Sequence, residues 1–114
     1  MAGGNVWIKC GAVRNLLTEP GRTTTGTGNF VYKDSPLACF QGVVSGTGAV
    51  TATINIEYSN DGINACSTVA GTISLSGTTV SSDGFTSEAP WKFVRANVTA
   101  ISGTGATVQV YMGV

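Results

Sequence analysis

An all-β chain is what this sequence predicts: a single domain, residues 1–114, folded as an antiparallel β-sandwich of jelly-roll kind with about seven or eight short strands. Three observations predict it. Apolar and hydroxyl residues alternate over several segments, Gly and Asp-Gly turn signals recur at intervals of roughly 8 to 12 residues, and helical spacing is nearly absent.

The clearest element is residues 49–59, where Val50, Ala52, Ile54, Ile56 and Tyr58 share one parity and Thr51, Thr53, Asn55, Glu57 and Ser59 the other. Successive strand side chains point to opposite faces, so this is a strand with one buried and one wet side. Residues 107–114 alternate in the same way, with Val108, Val110, Met112 and Val114 against Thr107, Gln109 and Tyr111. In residues 94–100, Val94, Ala96, Val98 and Ala100 alternate with Arg95, Asn97 and Thr99, and Ile73 and Leu75 supply a shorter strand. Upstream, residues 5–10, 29–33 and 37–44 complete the set. Gly42, inside the last of these, marks a bulge or a close backbone approach. "GAVRNLLTEPG" at 11–21 has brief helical spacing that Pro20 and Gly21 stop, which leaves one turn or a bent strand.

Between these segments, "SNDG" at 59–62 and "SSDG" at 81–84 read as turns, because Asp caps locally and Gly accepts positive φ. "TTTGTG" at 23–28 reads as a flexible loop. The five residues "SGTGA" occur twice, at 45–49 and 102–106, each time with an apolar strand entering and an alternating strand leaving. Both copies read as hairpin loops, since a phosphate cradle would need a helix opening behind the glycines. The repetition raises the question of two similar half-domains.

The surface that goes with this fold is uncharged. Charged residues make up 11% of the chain against the roughly 25% usual in soluble domains, so Thr, Ser, Asn and Gly must clothe it. Net charge is zero, and Lys9, Arg14, Arg22, Lys33, Lys92 and Arg95 are scattered without a run. Nucleic-acid binding, which depends on clustered cations, is therefore not expected. Neither a basic leader nor an apolar stretch of about 18 residues is present, so synthesis in the cytosol and no membrane span are expected.

Chemistry is hard to find. The sequence has no His, and its acids, Glu19, Asp34, Glu57, Asp61, Asp83 and Glu88, fall mostly in predicted turns without a side-by-side spacing. The chain is read as a non-enzyme without a cofactor or metal. "NDGIN" at 60–64 brings oxygens together but lacks the alternating carboxylates and terminal Glu of a calcium loop, and is read as a plain turn. Cys10, Cys39 and Cys66 are odd in number and far apart, so they are read as small hydrophobes in or near strands. "NVT" at 97–99 is read as strand. The aromatics Trp7, Trp91, Phe93, Tyr58 and Tyr111 admit two readings, core and interface packing or a stacking platform for sugar rings.

"GTGAVTATINIEYSNDG" at 46–62 and "SDGFTSEAPWKFVRANVTAISGTGATVQVYMGV" at 82–114 together resemble small all-β structural proteins of tailed bacteriophages. The resemblance covers just under half of the chain and transfers no catalytic motif. In size and composition the best match within that group is the capsid decoration, cement or staple proteins. It implies a virion protein on the capsid exterior, gripping the major capsid protein lattice and stabilising the head, with self-association as a dimer or trimer. The contacts expected are Ala2, Gly3, Gly4, Asn5 and Val6, the loop residues Arg22, Thr23, Thr24 and Thr25, and outward-facing Tyr58 and Tyr111. Residues 2–6 and the loop 22–28 are expected to become ordered only on assembly. The first alternative is a receptor- or carbohydrate-binding module of a phage fibre or adhesin, and the next an unrelated cytosolic β-sandwich adaptor. Such a module ordinarily belongs to a longer chain, and a free-standing accessory protein is the expectation here.

Overall fold

The computed structural model describes residues 13–18, 21–33 and 35–114. It is all-β and antiparallel. Three long strands dominate, β4 (Ala38–Ser59), β5 (Val69–Ser87) and β6 (Phe93–Gly113), preceded by the short β1 (Val13–Asn15), β2 (Gly26–Thr27) and β3 (Val31–Tyr32). β4 lies in the middle with β5 on one side and β6 on the other, and β1, β2 and β3 pair along the far side of β6.

One continuous sheet of six strands thus replaces the seven or eight short strands read from the sequence. The predicted segments 37–44 and 49–59 are the two ends of β4, and 94–100 and 107–114 are the two ends of β6. The segment 29–33 shrinks to the two residues of β3, and 5–10 lies outside the described residues. "SSDG" is no turn either: Asp83 and Gly84 run inside β5, opposite Gly42 and Gln41.

A straight strand of 22 residues would reach roughly 70 Å, yet the longest dimension of the molecule is 44 Å. The long strands must bend, and close contacts place the bend. A Cβ built on Gly42 would stand 2.8 Å from Ile54 Cδ1 and 3.2 Å from Ile73 Cγ2, although Gly42 and Ile54 belong to opposite ends of the same strand. Likewise the Phe85 ring lies over Gly71, 2.7 Å from where a Cβ would be. The sheet doubles back so that its halves face each other, and the shortest dimension is accordingly 20 Å. Gly42 is the close approach that its place in an apolar strand predicts.

The crease runs through the two "SGTGA" copies, which are corners within strands and not hairpin loops. Register slips between Ser45 and Ala49 on β4, and Thr47 stands opposite Thr104 on β6, so the copies lie side by side. Their glycines divide the work alike, except that Gly103 is at positive φ, 127, and Gly46 is not. The first of each copy is packed: Gly46 against Thr104 O and Val50, Gly103 against Ala49 O and Val50. The second of each, Gly48 at φ 74 and Gly105 at φ 64, takes the left-handed turn with open space around it. On β5 the same corner is turned by Thr79 at φ 66, a region that costs a β-branched residue strain.

The inner faces enclose the core. Phe40, Val44, Ile54, Ile56, Val108 and Met112 are almost wholly buried, each contributing about 1.5–3 kcal/mol by its removal from water. Parity holds along most of β4 and β6, with two exceptions: Ser59, read as a wet-face residue, is fully buried where its hydroxyl bonds into the following turn, and Ala100 is displaced. A register shift opposite Thr53 and Ile54 inserts Thr99, which turns Ala100 outward where simple alternation predicts it inside.

Candidate interaction surface

The sequence-predicted contact residues do not gather at one place. Ala2, Gly3, Gly4, Asn5 and Val6 lie outside the described residues, as does Trp7. Arg22 bridges to Val108 on β6 by paired backbone hydrogen bonds, its N–H donating to Val108 O at 2.9 Å and Val108 N–H donating to Arg22 O at 2.8 Å. Its guanidinium then donates to the carbonyls of Thr24 at 3.2 Å and Thr25 at 2.9 Å. The loop carrying Thr23, Thr24 and Thr25 is wrapped around this cation in the single chain, where ordering on assembly is the sequence expectation.

Tyr58 faces inward, a correction to its expected role as an outward contact. It is 6% exposed, stacks on Trp91 at 5.5 Å between centroids and shares a hydrogen bond with the Ser87 hydroxyl. Its parity with Ile54 and Ile56 already says so. Tyr111 has the opposite parity to Val110 and Met112 and lies half-buried on the outer face. There it lines a shallow groove of about 400 Å³ with Val13, Cys39, Gln41, Thr86 and the Phe40 and Phe85 pair, alongside Gly84 and Gly113. Cys39 lies in β4, within a strand as the sequence reading has it, and its side chain is exposed in this groove. Phe93 meets Tyr32 edge-on at 5.8 Å, so the described aromatics fall into separate pairs and not one platform.

Sequence reasoning missed two polar constellations. On the outer face of the other half, Arg95 Nε lies 2.6 Å from Glu57 Oε1, Asn97 Nδ2 donates to Glu57 Oε2 at 2.9 Å, and the guanidinium covers the Phe30 ring at 4.6 Å. Glu57 and Arg95 are direct cross-strand partners, and the signal for them, matching polar parity on two strands, is empty until the strand order is known. The second constellation is Lys33. It is only 4% exposed, and its ammonium donates to the carbonyls of Ser35 and Ala89, both at 2.8 Å, and of Pro36. Burial lowers its pKa.

The connection after β4 is a self-contained acidic turn. Asp61 accepts from the backbone N–H of Ile63 and of Asn64, each at 2.9 Å, and from the Ser59 hydroxyl at 2.7 Å and the Asn64 amide at 3.0 Å. These donors, the Asn64 and Ile63 backbone foremost, hold its carboxyl well below the ordinary value of 3.8. Because the folded value is depressed, the stability it contributes is present above about pH 4 and lost as the pH falls below that. Melting curves taken from pH 6 to pH 2 should therefore show an acid-side loss that Asp61→Asn makes shallower. Identical slopes for the two proteins would remove Asp61 from the account.

Among the described residues no three His, Cys, Asp or Glu side chains gather as metal ligands would. What the surface offers is hydroxyl and amide groups on both outer faces, together with one long sheet edge, β5, which among the described residues pairs with β4 alone. Compared with known proteins, the chain matches no family model, no curated protein and no solved structure.

Proposed function

We propose that this chain is a structural virion protein, a capsid decoration or cement protein that lies over joints of the major capsid protein lattice and stabilises the head. In this reading the doubled sheet is a two-layered sandwich of jelly-roll kind, and the protein acts by surface alone. One observation carries it: among the described residues, five of the chain's few charges are spent on the chain itself. Arg22 is bound by its own loop, Lys33 by three carbonyls, Asp61 by its own turn, and Glu57 and Arg95 by each other. The described outer surface carries many hydroxyl, amide and glycine groups, with Arg14, Asp83, Glu88 and Lys92 exposed among them, and suits many weak contacts that depend little on salt and that lattice symmetry multiplies.

The test is cosedimentation of the purified chain with decoration-free shells of tailed phages and, in parallel, binding to a glycan panel. Binding to shells that persists between about 50 and 500 mM salt is expected, because few charges remain to be screened. Loss of occupancy on deleting residues 2–5, with the melting temperature unchanged, would place the grip at the N-terminal segment. A glycan hit without shell binding would replace this reading by the receptor- or carbohydrate-binding one, for which the groove beneath Tyr111 is the supporting observation.

A further inference from the structure

The β5 edge presents a segment that is chemically its own mirror. From Gly71 to Gly77 it reads Gly, Thr, Ile, Ser, Leu, Ser, Gly, so that a two-fold axis at Ser74 would set Gly71 against Gly77, Thr72 against Ser76 and Ile73 against Leu75 of the second copy. An isologous contact requires this self-complementarity, each residue meeting in its partner the residue that meets it. From these observations we propose that the chain forms a two-fold homodimer by antiparallel pairing of β5 with β5 of a second copy, centred on Ser74.

Parity supports the register. Ile73 and Leu75 point into the core and Thr72, Ser74 and Ser76 are exposed, so pairing about Ser74 keeps apolar beside apolar and hydroxyl beside hydroxyl. A slip of the partner by one residue would set each aliphatic side chain opposite a hydroxyl. Edge strands are ordinarily protected by charge or proline, yet residues 69–82 contain neither. The charge on β5 is Asp83, in the other half, where two copies would bring like charges near the axis; this confines pairing to the Gly71–Gly77 half. A second copy is the occupant these facts select, since a neutral strand repels neither itself nor its image. The inference does not rest on the capsid reading.

The experiment uses the full chain with Cys10, Cys39 and Cys66 replaced by serine. In that background Ser74→Cys places two thiols on the axis, where opposed Cβ atoms stand about 4.5–5.5 Å apart, and mild oxidation at low micromolar concentration should yield a covalent dimer. Thr78→Cys should not, because the two Thr78 positions would lie roughly 26 Å apart in this register. A mixture of Thr72→Cys and Ser76→Cys should give the heterodimer in preference to either homodimer. Sedimentation should show concentration-dependent dimer in the parent chain, and Ser74→Lys, on an exposed position, should weaken it by about tenfold or more without moving the melting temperature. Equal crosslinking at Ser74 and Thr78, a monomer at all concentrations, or a dimer indifferent to Ser74→Lys would each overturn the proposal. A dimer seen only after residues 1–12 are removed would do so too, by showing that the chain's own beginning covers the edge.

Discussion

Replacing Gly103 by valine is expected to lower stability by about 4 kcal/mol, combining the cost of a β-branched residue at positive φ with overpacking of a filled site. The position is at φ 127, and a side chain there would press on Ala49 O at 2.7 Å and Val50 Cγ1 at 2.9 Å. For a domain of this length the loss corresponds to a fall in melting temperature of roughly 15–30 °C. Two residues on, Gly105→Asn should cost under about 1 kcal/mol, because Asn enters the left-handed region readily and nothing stands within 4 Å. Urea or thermal melts of the pair decide the matter. Should Gly103→Val melt with the parent, the corner would not be the tightly packed joint described above.

The second large effect is expected at Lys33. Methionine keeps the length and apolar stem but withdraws the ammonium from the carbonyls of Ser35, Pro36 and Ala89, and an expected loss of about 2–3 kcal/mol follows from leaving such acceptors without their charged donor. The segment after β3 and the connection before β6 are stitched together by this one group, so protease sensitivity in residues 35–37 and 88–91 should rise with it. Arginine should not rescue the variant, since a planar fork does not match three converging acceptors. There is also a signature in pH. The folded pKa lies below the ordinary 10.5, so the unfolded chain takes up the proton first on acidification, and stability rises as the pH climbs from the lowered value toward 10.5. That alkaline rise should vanish in Lys33→Met. An unchanged melting temperature in the variant would mean that burying the charge costs as much as its hydrogen bonds return.

Alternation made the inner face of the sheet legible: Ile54, Ile56 and Tyr58 are where their parity puts them, and Tyr111 is outside for the same reason. What misled was punctuation. Asp83-Gly84 and both "SGTGA" copies have the chemistry of a chain reversal, but a glycine that permits a hairpin also permits a corner in an unbroken strand. Which of the two forms depends on the neighbouring strand, and the neighbour of Gly46 is Thr104, far along the chain. Distance in sequence hid the polar groups too. Glu57 and Arg95 meet only because β4 lies beside β6, and the partners of Lys33 are backbone carbonyls, which carry no residue signature at all.

The shared crease has a further consequence for how the molecule comes apart. β4, β5 and β6 all pass through it, and each long strand contributes to both leaves of the fold. Neither leaf is an independent piece of chain, so no seam exists along which one could peel away while the other persists. Denaturation should proceed as a single cooperative event, and recovery should be slow, because every leaf must wait for segments synthesised far apart to find one another.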